Sequence, residues 1–473
     1  MTKKILFRAL LGLAPLAPTV AWAQTAPVPV VAPDSTAGPR VPSPEEPVAP
    51  TGETASVPAT GAIPAPAVVA VPVAGPAKAD EPKKKHWYEK LAFRGYTQLR
   101  YNREFDVQGA KVQILGDSAV AANQTFSIRR ARLILSGDVS NYVSVYLQPD
   151  FAASVPGVTD ATFFAQIRDW YADVHFDRKK EFRVRLGQSK VPFGFENLQS
   201  SQNRIPLDRS DALNSAVKNE RDLGAFFYWT PKFAQDFFKH ALDDGEKGSG
   251  NYGVLALGAY AGQGGSFREQ NSSLHVVARA VAPVEFRGQK MEFAVGGYWG
   301  KYGVLSSAIS PLGIGPAVKP TGTIDTGNKT GVVDTRAAVT VVVYPRPIGI
   351  QAEWNVGRGP TLNAAQTSVE AERIHGGYAM LTYRWKGPGG HEVFPFARYS
   401  YYRGGYKSER NAPNTQLNDI EAGVEWLIAG EVELVVAYQH ANRTNTSAAG
   451  TADTRSYEKT TAHIARTQVQ LKF

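Results

Sequence analysis

From Leu91 onward the chain repeats one simple pattern: short stretches in which apolar and polar side chains alternate residue by residue. Alternation with period two marks a β-strand whose two faces meet different surroundings. The last stretch shows it most clearly. His463, Ala465, Thr467, Val469, Leu471 and Phe473 share one face, while Ile464, Arg466, Gln468, Gln470 and Lys472 share the other. Ile348, Ile350, Ala352, Trp354 and Val356 alternate in the same way with Gln351, Glu353 and Asn355. Near the start, Leu91, Phe93, Leu99 and Tyr101 share the stretch with Arg94, Gln98 and Arg100. The pattern predicts 16 strands, over residues 91–103, 125–138, 142–151, 161–176, 181–190, 222–230, 252–260, 273–283, 291–301, 333–345, 348–357, 373–386, 392–403, 416–428, 431–441 and 460–473.

The connections between these strands also follow a rule. After even-numbered strands they are mostly short, as at Val139 to Asn141, Asp177 to Lys180, Arg346 to Pro347 and Ala429 to Gly430. After odd-numbered strands they are mostly long: 104–124, 191–221, 302–332, 358–372 and 442–459. The stretch 231–251 breaks the rule, being long where a short turn is expected. Short turns at one rim, long loops at the other and an even strand number describe a bacterial outer-membrane barrel. Tyr298, Trp299, Trp385, Tyr401, Tyr402 and Trp426 fall near strand ends, as an aromatic girdle would. In lipid every backbone polar group needs a partner within the protein, and strands provide one only in a closed barrel. Residues 86–473 are therefore expected to form an all-β, 16-stranded antiparallel transmembrane β-barrel.

The N-terminus agrees with this destination. Lys3, Lys4 and Arg8 precede an apolar stretch from Ala9 to Val20, followed by the small-x-small triplet Ala21-Trp22-Ala23. Residues 1–23 thus read as a secretory signal peptide rather than an anchor, because the apolar stretch is short and carries Pro15 and Pro18. No later run of 18 apolar residues predicts a spanning helix. Residues 24–85 hold 14 of the 31 prolines and no aromatic, too little apolar surface to offset the entropy of ordering. They are expected to be a disordered Pro/Ala-rich periplasmic linker ending in Lys83-Lys84-Lys85. The absence of cysteine fits export without a disulfide framework.

Charge adds a hint of function. Outside residues 1–85 the chain keeps 44 basic against 37 acidic residues. The excess is modest, but its placement is informative. Arg94, Arg100, Arg130, Arg132, Arg183, Arg185, Arg384, Arg398 and Arg466 all fall on polar strand faces, and a charge on the lipid face of a barrel is costly. These guanidinium groups should line the lumen, where they would attract anions and fork onto phosphate or carboxylate oxygens. The bland alternative is internal pairing with Asp150, Asp173, Glu353, Glu421, Glu425 and Glu433, which share that parity. The connection 191–221 is too long for a plain hairpin and carries Arg204, Arg209, Lys218 and Arg221 against Glu196, Asp208, Asp211 and Glu220. It is expected either to fold back into the barrel or to lie on the outer surface.

Other chemistries find little footing. A barrel hydrolase would need a nucleophile with a base in reach, and neither a Gly-x-Ser-x-Gly elbow nor a serine beside His275 or His463 is evident. No His-x-x-x-His pair or cysteine cluster suggests a metal, no phosphate-cradling glycine loop suggests a nucleotide, and no cofactor is expected. The basic residues alternate along strands instead of forming one face, so nucleic acid is not an expected partner.

Two segments resemble the phosphate-selective porin O/P family. One runs from Phe126-Ser127-Ile128-Arg129-Arg130-Ala131-Arg132-Leu133 to Gln148-Pro149-Asp150-Phe151. The other is Arg185-Leu186-Gly187-Gln188-Ser189-Lys190-Val191-Pro192-Phe193-Gly194-Phe195-Glu196, ending in Ser200-Ser201. The terminal Phe473 resembles the outer-membrane assembly signal. The resemblance, over about 91–473, implies a homotrimer in outer-membrane lipid, with the third long loop folded into the pore and an arginine-lined path to a central anion site. It matches Arg129 and Arg130 to paired arginines near that site, and Ser200 and Ser201 to a serine pair on the loop. Phosphate-selecting members carry lysine where this chain has Ser144 and Asn197, which weighs against strict phosphate selectivity. The expected function is passive diffusion of small inorganic or organic anions. The alternatives are general or organic-acid-preferring diffusion, and a structural envelope barrel tethered through the Pro-rich segment.

Overall fold

The computed structural model describes residues 86–473 except 110–111, 113, 116, 118–119, 121–125, 154–163, 306–330, 364–367, 410 and 447–456. The expected signal peptide and linker lie outside the described residues. A short 3-10 turn, Trp87–Lys90, leads into the first strand.

All 16 expected strands form. They are β1 Leu91–Gln108, β2 Phe126–Asp138, β3 Val143–Ala153, β4 Phe164–His175, β5 Phe182–Lys190, β6 Arg221–Trp229, β7 Leu255–Tyr260, β8 His275–Phe286 and β9 Gln289–Tyr302. Then follow β10 Val332–Val343, β11 Ile348–Leu362, β12 Val369–Tyr383 with a continuation Trp385–Lys386, β13 Glu392–Gly405, β14 Asn414–Leu427, β15 Val432–Thr446 and β16 Tyr457–Lys472. Each strand pairs antiparallel with its sequence neighbours. The ring closes through β1 and β16, from Tyr96 opposite Lys472 to Phe105 opposite His463. No edge is left to present unpaired backbone groups. No helix among the described residues is long and apolar enough to cross a membrane.

The two faces separate as the alternation requires. On β10, Val339 and Val341 are exposed outward, while Arg336, Ala338 and Thr340 are buried inside. Trp299, Trp385 and Trp426 lie on the outer surface, as a girdle needs. Tyr298 and Tyr402, expected in that girdle, are instead buried inside. Each sits one residue from an outward neighbour, so parity assigns them to the lumen.

Two of the β-bulges place an arginine. Gln98 on β1 faces Arg130 while Leu99 faces Ile128, so Arg129 is an extra residue on β2. Gln148 on β3 faces Asp169 while Pro149 faces Ile167, which makes Arg168 the extra residue on β4. Strict alternation would have turned Arg129 toward lipid, and the bulge turns it inward beside Arg130.

Two connections are structured. Between β5 and β6, residues 191–220 are buried over most of their length and contain the short helix α1, Asp211–Asn214. Between β6 and β7 lies α2, Lys232–Asp243, the largest helix of the described residues.

Close strand approach constrains Gly187 on β5. It has a φ of +124°, and a Cβ there would lie 2.3 Å from the Trp170 carbonyl oxygen of β4. Gly187→Ala is therefore expected to cost on the order of 1–3 kcal/mol of stability. A lowered thermal unfolding temperature of the detergent-refolded barrel checks this, and an unchanged one refutes it.

Candidate functional site inside the barrel

The site is built by threading 191–220 across the interior. The loop starts with Val191 and Phe193, which join the main interior apolar cluster. Gly194 then adopts a φ of +71°, where a Cβ would stand 2.7 Å from a Glu353 carboxylate oxygen. That turn aims the next two backbone N–H groups at Glu353 on β11: Phe195 N–H donates to its Oε2, and Glu196 N–H to its Oε1 at 2.7 Å. The Glu196 carboxylate accepts from Ser210 N–H at 2.9 Å and from Arg398 on β13 at 2.9 Å.

The loop then reaches the opposite wall. Tyr96 and Ser201 share a hydroxyl hydrogen bond at 2.7 Å, Arg132 donates to Ser201 Oγ at 3.0 Å, and Gln98 donates to the Ser201 carbonyl at 3.2 Å. Asp208 meets Arg100 at 2.6 Å, Arg130 at 3.4 Å, Arg129 at 3.7 Å and Arg466 at 2.5 Å. Returning, Asp211 pairs with Arg443 of β15 at 2.6 Å, and Ser215 accepts from Arg336 of β10. One loop thus bonds to β1, β2, β10, β11, β13, β15 and β16, which only a position inside the ring permits.

The charges fall into hubs. Asp117, from the connection after β1, lies beside Arg100 at 2.7 Å, Arg466 at 2.9 Å and Arg129 at 3.7 Å. Asp117 and Asp208 together face four guanidinium groups. Glu220 forms the second hub, meeting Arg221 at 2.6 Å, Arg209 at 3.2 Å, Arg204 at 3.3 Å and Lys190 at 3.8 Å. Arg221 also reaches Asp169 at 2.9 Å. Eight cations therefore share four carboxylates along β1, β2, β4–β6 and β16. On the wall of β13–β15 the balance reverses: Arg398 and Arg443 face Glu196, Glu421, Asp211 and Asp419. A cavity of about 20 Å³, room for about one water, separates the two walls and is lined by Asp208, Arg209, Arg398, Asp419, Arg443 and Arg466 among others.

The loop carboxylates respond to this surplus. Burial alone would raise the Asp117 carboxyl, but Arg100, helped by Arg129 and Arg466, outweighs it and holds it at about 2. Burial opposes the Glu220 charge as well, and Arg209, Lys190, Arg221 and Arg204 keep it well below the usual carboxylate range. Burial lowers the Arg209 guanidinium to about 10 against the raising pull of Glu220.

A pH prediction follows from Asp117. Its folded value is depressed, so its contribution is present above the ordinary 3.8 and is lost as pH falls from there through about 2. Docking of Val112, Ile114 and Val120 against Ala441, Ala462 and Ile464 should survive mild acid and fail only in that window. Protease nicking of this connection as a function of pH checks it, and release near pH 6 would contradict it.

The expected site residues divide in two. Arg100, Arg129, Arg130, Lys190, Arg204 and Arg209 come together at the hubs, with Arg132 and Ser201 beside them. Ser200 adjoins Ser201, its carbonyl accepting from Asn203 N–H. Arg398 stands on the opposite wall. Arg183 and Arg185 lie apart, both on Asp173, with Arg185 also over the Tyr171 ring at 3.8 Å. Arg384 pairs with Glu392 near the short-turn rim, and exposed Arg94 donates to Ser136. Where a lysine would be expected by resemblance, Asn197 bonds the Val191 carbonyl and Ser144 bonds Asp138.

Asp117, Asp208 and Glu220 organise the site without having been singled out as its centres. Arg168, Arg279, Arg336 and Arg443 were missed, and Arg221 was named only among the charges of the connection 191–221. Arg279 on β8 is 3% exposed, and its Nε and Nη2 have no hydrogen-bond partner. No group of acidic or histidine side chains among the described residues could hold a metal ion.

No curated protein matches the chain. Among solved structures, the outer membrane channel DcaP of Acinetobacter baumannii is similar at 13% identity and a TM-score of 0.47, covering 81% of this chain and 97% of its own. The trimer form of OmpT from Vibrio cholerae is similar at 11% identity and a TM-score of 0.46, covering 81% and 99%. An anion-selective porin from Comamonas acidovorans is similar at 11% identity and a TM-score of 0.44, covering 81% and 99%. The family model described as "Phosphate-selective porin O and P" matches residues 98–473, nearly the whole barrel. The chain therefore belongs to the phosphate-selective porin O and P family, with the barrel of an outer-membrane porin.

Proposed function

We propose that this porin gives passive, anion-preferring diffusion of small solutes along its cation-rich wall, at a constriction formed by residues 191–220. The observation that carries the reading is the surplus around the hubs, eight cations against four carboxylates. Positive charge held in a low-dielectric wall concentrates anions and repels cations. Arg129, the hub cation whose side chain is 27% exposed, is the natural first contact for an entering anion. Arg279 offers unpartnered N–H groups elsewhere on the interior wall. Without lysines at Ser144 and Asn197, the surplus favours small anions in general over phosphate alone. Family membership supports a homotrimer in outer-membrane lipid.

A second reading, general diffusion with little charge preference, draws support from the acidic balance of the β13–β15 wall. Swelling of proteoliposomes separates the two. Gluconate should enter faster than glucose, which has nearly the same size and no charge, and equal or slower entry of gluconate would refute the anion reading.

A further inference from the structure

The connection between β6 and β7 leaves from the rim of short turns, yet it runs from Thr230 to Val254. Its sequence explains where it goes. Pro231 precedes α2, and Ala234, Phe237, Phe238 and Ala241 recur at helical spacing on one buried face. The strands opposite are adapted to receive that face. Val281 on β8, Ala294 on β9, Val342 on β10 and Tyr344 just beyond it are interior positions, and together they form an apolar patch that packs on this helix face. The other face of α2 keeps Lys232, Asp236, Lys239 and Asp243 exposed.

After α2 the chain turns through Gly245, with φ at +68°, and crosses the barrel. Asp244 pairs with Lys290 and Arg346, each at 2.7 Å, and its carbonyl accepts from Arg384 at 2.6 Å. Fully buried Glu246 pairs with Lys290 at 3.0 Å and with Arg346. Lys247 pairs with Glu425 on β14. The segment is thus fastened to strands from β8 round to β14. It also meets the loop that enters from the other rim: Gln199 donates to the Lys247 carbonyl at 2.6 Å, and Phe195 packs in the same apolar cluster as Phe237 and Phe238.

We propose that Thr230–Val254 is a second constriction, entering from the periplasmic rim, that sets the size limit of the pore together with 191–220. The inference rests on reading the barrel as a diffusion pore. It assigns the size limit to the two inserts and the charge preference to the hub cations. The segment also meets arginines on β5, where Asn251 accepts from Arg183 at 2.7 Å and the Tyr252 ring lies 5.5 Å from Arg185.

The test replaces residues 231–253 by Asn-Gly, a turn suited to a two-residue hairpin. Single-channel conductance in KCl should rise roughly twofold or more, larger neutral polymers should enter, and the sign of the reversal potential should stay as in the parent. An unchanged conductance and polymer cutoff in the refolded variant would overturn the proposal. A cation-side reversal potential in the parent would instead defeat the function proposed above. A second experiment keeps every strand intact. The chain has no cysteine, so Ala294→Cys, beneath α2, gives a single labelling site. Adding Lys247→Ala and Arg346→Ala to release the segment should speed its reaction with a small thiol reagent by about tenfold. Equal rates with and without the release would overturn the proposal.

Discussion

Replacing Glu220 by glutamine is expected to undock the loop at 191–220. Glu220 is buried and lies within ion-pair distance of Lys190, Arg204, Arg209 and Arg221, all buried as well. The substitution keeps the shape and removes the charge. Of the carboxylates in that hub only Asp169 remains, and it pairs with Arg221 alone. Removing one partner of a buried ion pair costs about 3–5 kcal/mol, because the other charge stays buried without compensation. Here four cations lose their common partner, so the loss falls at the upper end of that range or the loop leaves the interior. Both outcomes are measurable. Thermal unfolding should drop, and single-channel conductance should become larger and noisier. A variant with native unfolding temperature and quiet native conductance would show that Glu220 does not hold the loop.

The second large effect concerns selectivity. Arg129→Gln combined with Arg130→Gln removes two of the four guanidinium groups that share Asp117 and Asp208. Two cations against two carboxylates then remain, and the local surplus vanishes. A unit charge acting at 4 Å is worth about 1 kcal/mol at the water limit and about 4 kcal/mol near a protein surface. Loss of the surplus should therefore lower the anion-to-cation permeability ratio by about tenfold, equivalent to about 1.4 kcal/mol. Because the remaining pair is balanced, stability should change far less than with Glu220→Gln. A ratio unaltered in the double variant would remove this hub from the permeation path.

Most of the fold was legible because one physical demand governs it. A closed barrel between lipid and a polar interior forces period-two alternation on every strand, and all 16 strands could be placed from it. Alternation fails where the backbone departs from period two. Parity puts Arg129 on the lipid side, and only the bulge opposite Gln98 and Leu99 returns it to the lumen. Local aromatic content misled at Tyr298 and Tyr402, whose inward direction follows from their own parity. The broken rule at 231–251 was visible, but its meaning was not, because Phe237 and Phe238 acquire their partners on β8–β10 only in the closed ring.

The site was less legible for the same reason. Arg336 and Arg443 lie on strands and could have been found by extending the parity argument. Arg279 was hidden, since Val277 and Val281 beside it on the inner face are apolar and mask the polar face. Asp117, Asp208 and Glu220 sit in connections with no periodicity. Their partners are fixed by how the connections cross the ring, which no local pattern encodes. The expected pairing of arginines with strand carboxylates is seen for Arg132 with Asp150, Arg185 with Asp173 and Arg398 with Glu421. The surplus itself is carried by strand cations, since the loop adds Arg204 and Arg209 to the hubs together with Asp208 and Glu220.

The reversal potential of single channels under a KCl gradient bears most directly on that surplus. If the cation-rich wall governs permeation, chloride carries most of the current, and the potential shifts toward the chloride equilibrium value. A shift toward the potassium equilibrium value would mean that the acidic wall of β13–β15 controls the pore, and the anion-preferring account would fail.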